Sequence, residues 1–492
     1  MAASLDLQFW AIRKRAGRKK PWELRWRVGT KQHSRSFLTK ALAQTHQAKL
    51  TKAAKEVGEE WDPTTGEPVS WGRAHRSWFD HAVELVTTEW DQASANYRKI
   101  LAGMLTDVTM TMVEDSARAR RTRPDDKILR KALNLWAFRP GRADNEPVPE
   151  PIAQALTWAA AHTRPVADLA DDEHLRAVLA RLGKLQNGKQ ASAGTLTSRR
   201  AALYRALDLA VQRKLIRTNP LPAIKTKRRV RDEALSPVVV PTLDQARRLL
   251  AALPALTNRK PACEDRGKRL HAFFAIMYYA GLRPSEVTAL CAADCTLPPT
   301  GWGKLTLRGA CPYVGELWTD DGQRHDPRGL KHRADNAIRV VPIPPLLVAI
   351  IRDHIDTHGT ADDGRLFWVE GPQRPPLPRY VYVATWNRAR KAALTPQEYA
   401  SPVARRPYDL RHANASMLLA AGVDSLQVAR RLGHTIRVLL TVYAHWIDTG
   451  EDAANTKIEA IFDTPTLKAV TSENDPAGHG PPTGQHPQHP AA

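Results

Sequence analysis

The segment that decides the fold of the second half of the chain runs from residue 408 to residue 446. It contains Tyr408-Asp409-Leu410-Arg411-His412, then Leu432-Gly433-His434, then Val442-Tyr443. Gly422 and Gly433 are placed to end helices, because glycine adopts the left-handed conformation of a helix C-cap without strain. Asp424 is placed to begin a helix. The segment therefore predicts three short helices joined by tight turns, which gather an arginine, a histidine and a tyrosine on one concave surface.

Tyr443 can be explained in two ways. It lies in the apolar run Leu439–Trp446, and half-buried tyrosine is common in helical cores. The choice between a core tyrosine and a reactive one depends on the basic groups elsewhere in the chain.

Composition favours a polyanionic partner. The chain has 492 residues, enough for two or three domains with cores of their own. Its formal net charge is +22 and its pI about 10.0, which exceeds what solubility requires and makes nucleic acid the first expectation. A merely basic soluble protein and a membrane-surface binder are the alternatives that composition leaves open.

The sequence lacks the signals of a membrane or secreted protein. No stretch approaches the roughly 18 apolar residues of a membrane span, and Met1–Leu7 has no signal-peptide pattern. Cys263, Cys291, Cys295 and Cys311 lie in one region without a second ligand pair, which favours reduced thiols over a zinc site. We therefore expect a cytoplasmic protein without a membrane partner.

Residues 1–62 form the most basic block. Two segments, Phe9–Arg15 and Trp22–Val28, alternate large apolar and basic residues with the period of a half-buried strand. A third strand, Ser34–Phe37, leads through the N-cap Thr39 into a helix. We expect a three-stranded sheet with one helix, whose basic face binds phosphates. A solvated strand face is the alternative.

The middle of the chain divides into two linkers and a bundle. Residues 63–70 are rich in turn formers and are expected to be a linker. Residues 71–224 have helical periodicity, clearest at 193–214, and predict a helical domain that could face DNA. Residues 225–240 contain the run Lys225–Arg231. They are expected to be a basic linker, either solvated or crossing a DNA backbone.

A second folded unit is expected over residues 241–463. Gly281 ends one of its helices and Pro284 opens the next. Two strands, at 304–308 and 338–342, are expected to form a hairpin.

The C-terminal residues 464–492 are rich in Pro, His, Gly and Thr, and we expect them to be disordered. The whole chain is predicted to be mostly α-helical with small β elements, an α+β class.

Basic composition also narrows the chemistry. Cleaving a phosphodiester without a metal needs positive charge aimed at the phosphate oxygens. Arginine supplies that charge best, because it is permanently charged, planar and bidentate. The sequence has no acidic cluster typical of a two-metal site and no glycine-rich loop followed by Lys-Ser or Lys-Thr. We therefore expect a site built on arginines, with no cofactor.

Five motifs stand in a fixed order: Gly281-Leu282-Arg283-Pro284-Ser285-Glu286, Lys331, Tyr408–His412, Leu432-Gly433-His434 and Tyr443. Together they resemble the signature of the tyrosine recombinase (phage integrase) family, with its arginine, lysine, His-x-x-Arg, His/Trp and tyrosine boxes. The resemblance is close over residues 241 to about 460. It is looser over the bundle, which the resemblance implies is a helical core-binding domain at 71–224. It is also looser over the N-terminal sheet, which is similar to the arm-binding domain of integrases from actinobacterial-type prophages and integrative elements and implies an arm-type domain at 1–62. It favours a reactive Tyr443.

The resemblance implies a role for each motif residue. Tyr443 would attack a backbone phosphate, forming a 3′-phosphotyrosyl link and releasing a 5′-hydroxyl; the bond energy is conserved, so neither ATP nor metal is needed. Arg283 and Arg411 would hold the non-bridging oxygens. Lys331 would protonate the leaving oxygen, and His434 would hydrogen-bond the phosphate.

Several positions stay open. Tyr408 stands where the family most often has histidine, and a phenol titrates far above neutrality, which makes it a poor general base. His412 follows the second arginine, but helix neighbours point about 100° apart, so His412 is expected to pack behind the site. Glu286 is expected either to orient its neighbours or to stabilise a helix N-terminus. Lys304 is a rival to Lys331.

The function implied is a site-specific integrase that joins two double-stranded DNA attachment sites as a homotetramer. The resemblance also implies an excisionase (recombination directionality factor) as partner and a nucleoid-associated place in the cytoplasm. Two other functions stay open: a type IB topoisomerase-like relaxing enzyme and a catalytically idle DNA-binding regulator. The arm-type domain and a helix at 455–462 argue against the first, and the complete Arg-Arg-His-Tyr set against the second.

Overall fold

The computed structural model describes residues 7–55, 60–69, 71, 76–224, 236–256, 265–331, 334, 337–369, 371, 373–443 and 451–462. The predicted basic run Lys225–Arg231 and the predicted disordered tail lie outside these residues. The chain divides into two compact units, the first being Met1–Arg231 with Val314–Arg324 and the second Asp232–Tyr313 with His325–Ala492. Helices dominate both, and the β-sheets are small. The predicted α+β class is confirmed.

A four-stranded antiparallel sheet opens the first unit, with strands β1 (Leu7–Phe9), β2 (Arg13–Lys14), β3 (Trp22–Val28) and β4 (Lys31–Phe37). β4 covers one edge of β3, and β1 and β2 share the other. Phe9 lies opposite Trp26 and Arg13 opposite Glu23, so the register shifts by one residue between β1 and β2. The predicted three-stranded sheet is therefore wrong in one respect: an extra residue bulges from the first strand and divides it in two.

The predicted alternation along β3 is present. Leu24, Trp26 and Val28 are buried, and Arg25 and Arg27 lie on the opposite face. Helix α1 (Lys40–Ala54) follows, and the hydroxyl of its predicted N-cap, Thr39, accepts a hydrogen bond from the Leu42 amide. This helix packs on the buried face of the sheet with Leu50 fully enclosed.

The predicted linker at 63–70 is instead part of a β-hairpin, β5 (Trp61–Asp62) and β6 (Glu67–Pro68). Trp61 packs in the same core as Trp26. The Trp26 indole donates to the carbonyl of Gly66 at 2.6 Å. The turn formers that suggested a linker thus close a hairpin, because their backbone has a buried partner.

The helical part of the first unit consists of α2 (Trp78–Glu89), α3 (Ala95–Thr111), α4 (Ala117–Thr122), α5 (Asp126–Ala132), α6 (Arg142–Asn145), α7 (Glu150–His162), α8 (Asp172–Leu182) and α9 (Ala193–Gln212). A π-helical segment, Leu133–Ala137, continues α5, and a 3-10 segment, Val166–Ala170, precedes α8. Leu203 and Leu207, on the stripe predicted for α9, are completely buried.

Val314–Arg324 belongs to the first unit although it is distant from it in sequence. Trp318 is buried in the bundle core, 6.5 Å from Trp90 between ring centroids. Arg98 donates to the Trp318 carbonyl at 3.2 Å and to Asp320 at 2.6 Å. Nothing in the sequence periodicity predicted this, because the contacts join residues more than 200 positions apart.

The second unit contains helices α10 (Leu243–Ala252), α11 (Arg266–Tyr279) and α12 (Pro284–Thr288), then strands β7 (Cys295–Thr296), β8 (Gly303–Leu307) and β9 (Arg339–Ile343), and then helices α13 (Pro345–His358), α14 (Arg379–Ala393), α15 (Pro396–Ala400), α16 (Asp409–Ala420), α17 (Ser425–Leu432), α18 (Ile436–Val442) and α19 (Glu451–Phe462). The strands form an antiparallel sheet with β8 in the middle.

The core of the second unit surrounds α11, whose Phe273, Phe274 and Ile276 are completely buried. The three helices predicted around Tyr443 are α16, α17 and α18. The first two end where the sequence indicated: Gly422 and Gly433 have positive φ, and the Asp424 carboxylate caps α17. The third was predicted to contain Tyr443, but α18 ends at Val442. None of the helices in the described ranges is both long and apolar enough to cross a bilayer.

Truncating Leu207 tests the bundle core. Leu207→Ala should lower the free energy of unfolding of the first unit by about 2–5 kcal/mol, because the side chain is fully enclosed and its removal leaves a cavity. Tyr204→Ala on the same helix is the control, since Tyr204 is 44% exposed; it should change stability by about 0.5 kcal/mol or less. Urea denaturation compares them, and equal effects would contradict the packing of α9.

Candidate active site

Arg283 is fixed by the turn between α11 and α12. Gly281 has φ +66°, and a Cβ there would lie 2.5 Å from the Asn414 side chain, so only glycine fits. Pro284 opens α12, where its missing N–H costs nothing. The Glu286 carboxylate accepts from the Arg283 amide at 2.8 Å and from its guanidinium at 2.7 Å. The local sequence thus sets both the backbone and the side chain of Arg283.

Glu286 is the centre of a buried ion cluster. Its carboxylate accepts two hydrogen bonds from Arg339, at 2.8 and 3.2 Å, and lies 4.0 Å from Arg411. Burial would raise the pKa of Glu286, but Arg339, Arg411 and Arg283 hold it at about 2. The carboxylate is therefore ionised at neutral pH and contacts three guanidinium groups. This agrees with the expectation that Glu286 orients its neighbours.

Arg411, on α16, is completely buried. Its guanidinium donates to the carbonyls of Gly281 and, at 2.6 Å, Leu432. It also donates to Nε2 of His434 at 2.7 Å. Burial and the nearby Arg283 lower the pKa of Arg411 to about 10. The group remains cationic at neutral pH, and it joins the Gly281 turn to the Leu432–His434 turn.

His434 follows Gly433, which has φ +65° and leaves no room for a Cβ beside Arg339. Burial, with Arg411 and Arg283, lowers the pKa of His434 to about 3. The ring is therefore neutral, and because Nε2 accepts from Arg411, the proton is on Nδ1. Nδ1 is buried and has no hydrogen-bond partner among the described residues, which leaves it able to donate to an anion.

Tyr443 directly follows α18 and is fully buried. Its hydroxyl lies 2.8 Å from Nδ1 of His412, and its ring stacks 6.4 Å from His434. Burial raises the pKa of Tyr443 above that of a free phenol, although Arg411 opposes the change. The phenol is therefore neutral in this conformation.

The expectation that His412 packs behind the site is wrong. Arg411 and His412 do point in different directions from α16, as helix geometry requires. Elements of the site, however, contact two faces of this helix. Arg411 reaches the Gly281 turn, and His412 reaches Tyr443 on the other side.

Tyr408 precedes α16 and lies at the same site. Its ring meets that of His412 edge to face, with centroids 5.0 Å apart. Burial would lower the pKa of the Arg283 guanidinium, but Glu286 and, less strongly, Tyr408 raise it. Tyr408 therefore lies near one of the two predicted phosphate-binding arginines.

The structure does not bring Lys331 to the other site residues. Its side chain is exposed, directly after the buried Leu330 on the connection between β8 and β9. It makes no hydrogen bond or ion pair with any residue that the structure describes. The rival Lys304 is on β8 and is also exposed.

Sequence reasoning missed Arg339. It opens β9 and is only 4% exposed, bonded to Glu286 and to the Leu432 carbonyl at 3.1 Å. A signal was present: strand alternation places Arg339 on the same face as the buried Val341 and Ile343. An arginine at an inward strand position needs a buried anionic partner.

The assembled site is a cluster of cationic groups with a phenol beside it. Arg283, Arg411 and His434 carry N–H donors, and guanidinium donors are the groups that bind the oxygens of a phosphate best. Within the described part of the chain, no three His, Cys, Asp or Glu side chains are grouped to hold a metal ion.

Neutralising Glu286 tests the ion cluster. Glu286→Gln keeps the shape but leaves three guanidinium groups without their shared anion, and breaking a buried pair in this way costs about 3–5 kcal/mol. The free energy of unfolding of the second unit should fall by about that amount in urea denaturation. Glu398→Gln, which breaks the more accessible pair with Arg248, is the control and should cost less. Equal losses would mean that Glu286 does not organise the site.

Comparison with known proteins agrees with the family suggested by the motifs. Residues 241–449 match the phage integrase family. A protein described as a prophage phiRv2 integrase of Mycobacterium tuberculosis is 27% identical over 257 residues, covering 51% of this chain and 58% of that protein. A tyrosine recombinase of Thermosipho africanus is 25% identical over 185 residues, covering 38% of this chain and 52% of the other. The chain thus spans just over half the length of these curated relatives.

Among solved structures, the Tn1549 transposon integrase in complex with a circular intermediate DNA aligns with a TM-score of 0.44 and 18% identity, over 65% of this chain and 96% of that one. The family prediction made from the five motifs is confirmed by the family match. Residues 241–449 of this chain form a domain of the phage integrase family.

Proposed function

We propose that the protein is a site-specific DNA recombinase, an integrase that cleaves and rejoins attachment sites through a 3′-phosphotyrosyl intermediate. The observation that carries the proposal is convergence. Arg283, Arg411 and Tyr443 are far apart in sequence and meet around one pocket, joined through Glu286 and His434. The family match supports the same chemistry.

In this mechanism the scissile phosphate binds between the two arginines. Arg283 and Arg411 are fixed in place by Glu286, so their charges oppose the negative charge that develops on the non-bridging oxygens without further reorganisation. His434 donates from Nδ1 to one of those oxygens. The Tyr443 oxygen then attacks phosphorus, and the 5′-oxygen departs with a proton.

The other predicted roles belong to the proposal as well. Lys331 protonates the leaving 5′-oxygen, reaching it from the exposed connection before β9. Tyr408 orients Arg283 through its phenol, in place of the histidine that the family most often has there. No cofactor takes part, because the phosphotyrosyl bond retains the energy needed for rejoining.

The assembly and its surroundings are also proposed: a homotetramer on two double-stranded attachment sites, with an excisionase partner, in the nucleoid-associated cytoplasm. The net charge of +22 supports DNA as the partner. The exposed lysines of the N-terminal sheet, among them Lys14, Lys19 and Lys31, support a second DNA contact. The complete pocket disfavours an idle regulator, and the arm-type sheet disfavours a topoisomerase-like enzyme.

Tyr443→Phe tests the nucleophile. A suicide substrate, a nicked attachment site that loses a short strand on cleavage, should trap the wild-type chain covalently through Tyr443. The variant should trap at least about a thousandfold less, because nothing replaces the attacking oxygen. Tyr380→Phe, at a 59% exposed position, is the control and should trap normally. Denaturing gels and peptide mapping measure the adduct; trapping by the Tyr443 variant would overturn the proposal.

Removing the N-terminal domain tests the arm site. The cut belongs after residue 71 rather than 62, because the hairpin of β5 and β6 shares the core of the sheet. The shortened chain should cleave a core-site suicide substrate at the wild-type rate and fail to integrate a full attachment site, because only the latter needs the distal contact. Equal loss of both activities would place the sheet in the core clamp instead.

A further inference from the structure

His412 is a hydrogen-bond partner of the hydroxyl of Tyr443. Its Nδ1 is 2.8 Å from the phenolic oxygen, within the range of direct proton transfer. The imidazole is held between two rings, with centroids 5.0 Å from Tyr408 and 5.8 Å from Tyr443. Its backbone belongs to α16, where the Ser416 hydroxyl bonds the His412 carbonyl. The ring is therefore fixed in its orientation.

Three neighbouring groups are less suited to accept the phenolic proton. His434 stacks on Tyr443, but its Nε2 lone pair accepts from Arg411 and its Nδ1 carries the proton. Tyr408 carries a phenol, which is a weak acceptor near neutrality. Glu286 is committed to three arginines. His412 has a nitrogen directed at the hydroxyl.

We propose that His412 is a catalytic residue that accepts the proton of Tyr443 as the tyrosine attacks, an inference that rests on the proposed recombinase function. The Tyr443 O–H bond breaks and its proton moves to Nδ1 while the oxygen bonds to phosphorus. The bond from phosphorus to the 5′-oxygen breaks, and that oxygen takes a proton from Lys331. In the rejoining step a 5′-hydroxyl attacks phosphorus and gives its proton to Lys331. The bond from phosphorus to the Tyr443 oxygen breaks, and His412 returns its proton to the departing phenolate.

The surroundings of His412 keep its ring neutral. Arg406 and Arg411 face it from its own helix and the residues before it, and Tyr408, His434 and Tyr443 face it from the adjoining turns. Burial, aided by the two arginines, lowers the pKa of His412 to about 4. The free ring is therefore neutral and able to accept a proton at pH 6–8. His412 lies four positions after Tyr408, which is one helical turn. It therefore acts as the base in place of the histidine that the family most often has at position 408.

The test measures single-turnover cleavage of the suicide substrate by the full chain from pH 6 to pH 8. Wild type should cleave at a rate nearly independent of pH. His412→Asn keeps an acceptor near Nδ1 but cannot take the proton. It should be about 10²-fold slower, with a rate that rises about tenfold per pH unit, as expected when hydroxide must remove the proton.

A second substrate separates this role from acid catalysis. With sulfur in place of the bridging 5′-oxygen, the leaving group needs no proton. The His412→Asn defect should persist on this substrate, whereas Lys331→Ala should recover. His358→Gln, at a half-buried histidine outside the site, is the control and should match wild type throughout.

The outcomes are distinct. His412→Asn cleaving at the wild-type rate with a flat pH profile would overturn this inference and leave the recombinase proposal intact. Absence of trapping by wild type would instead overturn the proposed function. Because the pH slope is read within one variant, a loss of folded protein that is the same at every pH cannot imitate it. His412→Phe, which keeps the ring packing, should show the same slope if the first variant folds poorly.

Discussion

The site depends on one buried carboxylate. Glu286 is 2% exposed and is surrounded by Arg283, Arg339 and Arg411. Without it, three cations would share a desolvated space and repel one another, and such an arrangement is costly. The Glu286 carboxylate holds the three arginines together and fixes the orientation of their guanidinium groups. The carboxylate reaches across α12, β9 and α16, so the same ion cluster that stabilises the second unit also shapes its pocket.

Fixed charge has a second effect, on the imidazoles. Guanidinium groups stay protonated even when buried, as the pKa of about 10 for Arg411 illustrates. Burial, together with the arginines, lowers the pKa values of His434 and His412 to about 3 and about 4, so these histidines give up their protons instead. The pocket therefore combines permanent cations for binding an anion with neutral rings for moving or donating a proton. A lysine-based pocket would divide these tasks less cleanly, because lysine loses its charge readily on burial.

Local sequence signals predicted the local structure well. The helices α16, α17 and α18 follow from Gly422, Asp424 and Gly433, which cap helices by backbone conformation alone. The strand alternation of β3 follows from its period of two. The failures were of another kind. The bulge between β1 and β2, the hairpin of β5 and β6, and the docking of Val314–Arg324 in the first unit all depend on pairing with distant residues.

The motifs predicted which residues belong to the pocket, and the structure brings Arg283, Arg411, His434, Tyr443 and Tyr408 together while leaving Lys331 exposed. Arg339 was overlooked, although its inward position on β9 was readable. His412 was predicted to pack behind the site, and this was wrong. The helix period gives only the angle between neighbouring side chains, and it does not show which elements surround the helix. The amino-acid sequence by itself determined the helix ends, the family and the charged residues, since these depend on short-range conformation and residue chemistry. Only the tertiary structure decided that Glu286 would collect three arginines and that His412 would meet Tyr443, because both require separate helices and strands to pack before the side chains can touch.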